Sequence, residues 1–368
     1  MIEKGRITSG QMALMIFVTV GTTGALISSN ATGVYAGRDL WISVLWASLY
    51  GFAAVGLAIR LHRIYPGENI IQYSPRILGL LPGKAMGFIY LLSYLLLVAI
   101  TLRVYSEFVK AIFLPQTPLE VIIGSMMLVA AVAVKSGVEV IARVTQVLIP
   151  PALIVYLATI LLTIQSWDVQ QLFPILENGI APSLKGSMVT GIWFSEFFTI
   201  TFLLPFLADR SKEVRRSMMS VISVMLLLIY INLICLFVFG IEYLVMLYPL
   251  FEATRYISYA QFFEHLDAIV LMIWMPGIFI KVCLVHYVVV LGTSQWLNLR
   301  DYRPYSLPLA FLTAGLSLWV VPSSQELFRV TSAVFSLYFP GTYVLLPLLL
   351  WLIAEWRNRG LRKGEMAQ

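Results

Sequence analysis

Charge is what this sequence has least of. Asp, Glu, Lys and Arg make up 12% of its 368 residues, about half the share of an ordinary soluble domain. Hydrophobic residues make up 60% and mean hydropathy is +0.87. So little charge cannot cover a water-facing surface, which excludes a soluble protein and implies one that spans a membrane. Cysteine is nearly absent: Cys235 and Cys283 each lie in an apolar run, which rules out a disulfide framework and zinc-type spacing. The three histidines, His62, His265 and His286, fall in different segments and form no metal motif. Nucleophile elbows, H-E-x-x-H helices, P-loops and His/Cys clusters are all missing. Catalysis, a metal site and a cofactor are therefore not expected. The net charge of +6 and pI near 9.2 would suggest nucleic acid in a soluble chain. Here the basic residues sit in short loops, a topology signal, and no nucleic acid partner is expected.

What the sequence has is long apolar runs. At about 20 residues per crossing they give ten spans, near 10–34, 40–61, 85–109, 119–135, 144–165, 184–208, 215–240, 267–297, 305–321 and 330–356. The first lacks a small-residue cleavage pattern and reads as retained. Short connections and no low-complexity linker predict a single all-α transmembrane domain over residues 1–368. Most of the 25 basic residues fall on one side, among them Lys4, Arg6, Arg60, Arg63, Arg76, Lys84, Arg210, Lys212, Arg215, Arg216 and Arg357. The other side has Arg38, Lys110, Lys185, Arg255 and Arg329, and Arg103 and Lys281 lie within spans. The positive-inside rule then places both termini in the cytoplasm.

Ten spans divide as five plus five, about 10–165 and 184–356, the arrangement of transporters built from two inverted halves. In span one, Gly21-Thr22-Thr23-Gly24 brackets two hydroxyls with two glycines, and in span six Trp193-Phe194-Ser195-Glu196 precedes Pro205. Both stretches have material for a broken helix, whose bare N–H and C=O groups could hold a zwitterion at mid-bilayer. Close helix packing by small residues is the competing reading of the glycines. Glu196 and Lys281 are ionisable groups deep in apolar spans, a costly placement. They could pair with each other, bind a ligand or move a proton. Tyr94, Val98 and Thr101 share one face of span three and could wall a pocket. Arg103, Glu107 and Lys110, like Glu139 with Arg143, have the spacing of helical ion pairs.

Several of these stretches, taken in order, resemble a known family. They are Ile7-Thr8-Ser9-Gly10-Gln11, the Gly-rich part of span one, Ala36-Gly37-Arg38-Asp39-Leu40-Trp41, Tyr65-Pro66-Gly67, Arg103 with Glu107 and Lys110, Glu196 with Pro205, and Ile273-Trp274 with Phe279 and Lys281. They resemble the permease-like B subunits of Ger-type spore germination receptors, in the amino acid-polyamine-organocation transporter superfamily. The resemblance implies a LeuT-like fold with helices one and six broken, residence in the inner membrane of the spore, and assembly with an A-type membrane subunit and a C-type lipoprotein. It also implies a small polar germinant, often an amino acid, held by Gly21 to Gly24, Tyr94 and Val98, and Trp193 to Glu196. An amino acid permease, coupled to protons through Glu196 or with Lys281 replacing a bound cation, is the alternative. A structural anchor without a ligand is a third.

Overall fold

The structure, a computed structural model, describes residues 3, 5–161, 163–255, 266–320 and 330–365. Its ordered elements are helical, with one isolated parallel bridge, between Ile7 and Leu207, among the described residues. Helices α1 (Ser9–Ala36) and α2 (Leu40–Ile64) are joined by a single 3₁₀ turn, Gly37–Asp39. There follow α3 (Ile70–Leu78), α4 (Leu80–Ile112), α5 (Leu119–Lys135), α6 (Val138–Leu161), α7 (Ala181–Ser195) and α8 (Glu213–Phe239). The chain continues through α9 (Pro249–Arg255), α10 (Leu266–Trp296) and α11 (Ser306–Trp319). The last span runs through two π-helical turns, Thr331–Phe335 and Gly341–Leu345, into a helix over Leu346–Glu365.

Among the described residues, seven stretches are long and apolar enough to cross a membrane. The first contains both α1 and α2. With the 17 residues of α5 and the 14 described residues of α11, each of the ten expected spans falls on a helix. Among the described residues, two short α-helices, α3 and α9, are additional. The amphipathic α3 starts with a capping box at Asn69 and Gln72. The segment after span seven forms a 3₁₀ helix, Gly240–Val245, and then α9; its continuation, 256–265, lies outside the described residues.

Burial is uneven in a way that locates the core. The most apolar stretch of Ala181–Phe206 is wholly buried, whereas that of Val138–Leu157 is mostly exposed. Helix α1 packs against α6, α7, α8 and α10. Polar pairs fasten it: Ser29 Oγ donates to Asn232 Oδ1 at 2.8 Å, and the hydroxyls of Thr32 and Thr190 are 2.8 Å apart. The Arg103–Glu107 pair (2.7 Å) and the Arg143–Glu139 pair form as their spacing predicts.

Span one corrects the expectation of a break. Its α-helix winds without interruption from Ser9 to Ala36, and neither Gly21 nor Gly24 has a positive φ. The glycines serve packing. A Cβ on Gly21 would stand 3.3 Å from Leu227, and one on Gly24 would stand 3.2 Å from Leu228. The hydroxyls back-bond inside the helix, Thr19 to the Met15 carbonyl at 2.8 Å and Thr22 to the Val18 carbonyl at 2.7 Å, without opening it.

Span six does change its winding. The α-helix stops at Ser195 and Glu196–Phe202 is a 3₁₀ helix, followed by another over Leu204–Phe206. Pro205 has no N–H to give the carbonyl four residues back, and the run Phe197-Phe198-Thr199-Ile200-Thr201-Phe202 is β-branched and aromatic, which favours α-helix weakly. Glu196 stands at the junction.

Candidate ligand site

Three sequence-predicted residues from three helices meet at one point. The Lys281 ammonium donates to Thr23 Oγ1 at 2.6 Å, to Glu196 Oε1 at 3.0 Å and to Glu196 Oε2 at 2.7 Å. An ammonium has three protons, so all are used. Both charged side chains are 1% exposed. Burying such ions is expensive, and the pair persists because each neutralises and hydrogen-bonds the other.

The α10 face that carries Lys281 is fitted closely to α1. Trp274, Gly277 and Lys281 follow one another at spacings of three and four, so they share a side of the helix. Trp274 Nε1 donates to the Thr22 carbonyl at 3.0 Å. A Cβ on Gly277 would lie 2.5 Å from Thr22 Oγ1, so only glycine allows this approach. One helical turn separates the tight crossing from the ion pair.

Around Glu196 the 3₁₀ half of span six brings further hydroxyls. Tyr94 on α4 stands beside Thr199 without reaching hydrogen-bond geometry. The hydroxyls of Tyr94, Thr199 and Tyr343 are buried and have no hydrogen-bond partner among the described residues. The Tyr94 ring meets Tyr343 at 5.0 Å and Phe202 edge-on at 5.3 Å.

The remaining expected residues have other surroundings. Val98 is fully buried in the core. Trp193 packs over Gly24. Ser195 Oγ is bonded to the Ile192 carbonyl at 2.7 Å. Phe194 stacks on Phe197, and both press on the α2 backbone at Gly51.

Below this centre, on the face that carries the N-terminus, residues 5–9 close over the end of span six. Ile7 N–H donates to the Phe206 carbonyl at 3.0 Å and Ala208 N–H to the Ile7 carbonyl at 2.9 Å. Ser9 donates through N–H (2.6 Å) and Oγ (2.8 Å) to Asp209, and these bonds hold the Asp209 carboxyl below the usual carboxylate range. Tyr302 donates to Glu3 at 2.6 Å. Sequence reasoning missed this latch and the orphan hydroxyls of Thr199 and Tyr343. Thr8 and Gln11 did carry a readable signal for the start of α1, since they form its capping box.

A family profile described as a spore germination protein matches residues 6–326. The chain belongs to this spore germination family. Spore germination protein KB of Bacillus subtilis is 28% identical, with 100% of both chains covered. Spore germination protein YndE of the same organism is 26% identical over 96% of this chain and 98% of its own. Among solved structures, MhsT in complex with L-phenylalanine matches with a TM-score of 0.67 at 11% identity, across 96% of this chain and 99% of that one. At that identity the likeness is one of fold, and it gives this spore germination protein the LeuT-like arrangement expected of it.

Proposed function

We propose that this spore germination protein is the germinant-sensing membrane subunit of a receptor. In this reading it lies in the spore's inner membrane with both termini cytoplasmic and assembles with an A-type membrane subunit and a C-type lipoprotein. The germinant is a small polar nutrient, most simply an amino acid. It acts near the bilayer midplane where α1, α4, span six and α10 converge. The observation that carries this reading is the Thr23–Lys281–Glu196 contact at the point where span six leaves α-helical winding. Since α1 is unbroken, recognition rests on these side chains and on the junction at Glu196, with no contribution from open amides at Gly21 to Gly24. The centre is closed, with Lys281 filling the space between α1 and span six. A germinant acts by favouring an arrangement of the halves 10–165 and 184–356 in which this contact is rearranged, and its leverage is its difference in affinity between the two states.

The same contact gives the permease reading its support, because a tethered ammonium between α1 and span six can stand in for a bound cation. The two readings separate in liposomes that contain the purified chain. Radiolabelled amino acids that bind and stay outside support the sensor; accumulation inside supports the permease. The binding screen is repeated with Glu196→Gln, and unchanged affinity for every ligand detected would remove Glu196 from the site.

A further inference from the structure

An apolar cavity lies beside the α1–α10 crossing, about one helical turn along α10 from the ion pair. Its volume is about 110 Å³ and it is lined by Gly21, Thr22 and Ala25 of α1, Leu153 of α6, Leu227 of α8 and Trp274 of α10, with other apolar neighbours. Thr22 and Ala25 keep partial exposure there, on a helix that is otherwise largely buried at this level. Helix α1 has 28 residues, about 42 Å of rise, so Gly21 to Ala25 sit close to the bilayer midplane. Ala152 and Leu153 of α6 and Leu227 of α8, which line the cavity, keep partial exposure, and the opposite face of α6 is open and apolar, with Val147 70% and Ile154 68% exposed. The cavity is thus bordered by a lipid-facing helix at the depth where acyl chains end.

We propose that this cavity is a binding site for the terminal carbons of a lipid acyl chain. Apolar cavities of about 150 Å³ stay dry and hold a benzene-sized guest; this one is somewhat smaller and suits about four carbons. Headgroups cannot reach this depth, so selection is by chain length and shape. The guest touches Gly21 and Thr22 on one face of α1, while the neighbouring Thr23 receives Lys281 on another. A chain in the cavity braces α1 against α10 and holds the ion-pair contact in the arrangement described above.

Trp274, a lining residue, reports occupancy. The protein is placed in nanodiscs of phosphatidylcholine brominated near the chain ends, and the Trp274 emission is taken as the difference between wild type and Trp274→Phe. Quenching of this emission by at least twofold is expected, with recovery in Ala152→Phe, which fills the cavity from α6; Ala152→Leu is the milder filler if the first variant folds poorly. Unquenched Trp274, or equal quenching in a folded filler variant, overturns the proposal. Quenching by free bromobenzene in unbrominated lipid, without quenching by brominated chains, assigns the cavity to small apolar molecules and overturns the lipid site.

Discussion

Glu196→Gln keeps the shape of the side chain and removes the charge that faces the Lys281 ammonium. A buried ion stripped of its partner costs about 3–5 kcal/mol, whereas a buried pair replaced whole by apolar groups costs little. Glu196→Gln and Lys281→Met should each lower the melting temperature by several degrees. The double variant should melt above either single one, and strictly additive losses in this cycle would mean that the two residues are not coupled. Lys281 and Glu196 were legible in the sequence because each is an ionisable residue in an apolar run. The acceptor at Thr23 was not. Adjacent residues on a helix point about 100° apart, so Thr22 meets Gly277 and Thr23 meets Lys281, and nothing in a Thr-Thr pair says which neighbour each will find. Phe194 illustrates the same limit, because it lies next to Ser195-Glu196 in the chain yet packs on α2.

At the scale of elements, the sequence marked where each span would lie but misjudged the winding of the first. Gly-Thr-Thr-Gly fits a break and fits close packing equally well, and the choice is made by α8, whose Leu227 and Leu228 fill the space that the glycines leave. Span six was more readable, because Pro205 removes an i→i−4 bond beside a β-branched and aromatic run that favours α-helix weakly. The two possibilities for α1 make opposite predictions for Gly21→Ala. In a continuous helix the new methyl meets the flexible end of Leu227 and gains up to about 1 kcal/mol of helix propensity, so stability should hold or rise slightly; in a broken helix it should fall. Gly33→Ala is the contrast, since its Cβ would lie 2.2 Å from the Tyr243 hydroxyl, which is itself bonded to the Gly37 carbonyl at 2.8 Å. It should destabilise clearly in the same melting assay. The latch carries a pH prediction. Because Ser9 depresses the pKa of Asp209, its stabilising effect is full above the ordinary aspartate value of about 3.9 and is lost as pH falls through the lowered one. Hydrogen-exchange protection of the Ser9 amide, corrected for intrinsic rate, should be level from pH 8 to pH 5 and drop below about pH 4. A drop near neutrality would point to a different titrating group.

For the whole molecule, the latch and the ion pair act at different depths on the same two elements. Residues 5–9 hold the end of span six through Ile7 and Ser9, and Lys281 holds its start to α1 through Glu196 and Thr23. Span six is therefore fixed at both ends of its 3₁₀ segment, and the proposed response cannot move it without releasing at least one of them. Ile7 and Leu207 face each other across the bridge, so Ile7→Cys with Leu207→Cys offers a pair that oxidation can join. The native Cys235 and Cys283 are buried and leave a low background. Oxidised protein should bind germinant more weakly, and spores carrying the pair should lose their germinant response until a reductant restores it. Unchanged response with the crosslink formed in full would mean that the latch stays shut throughout signalling, and the moving part would then have to be sought among α1, α10 and the ion pair above it.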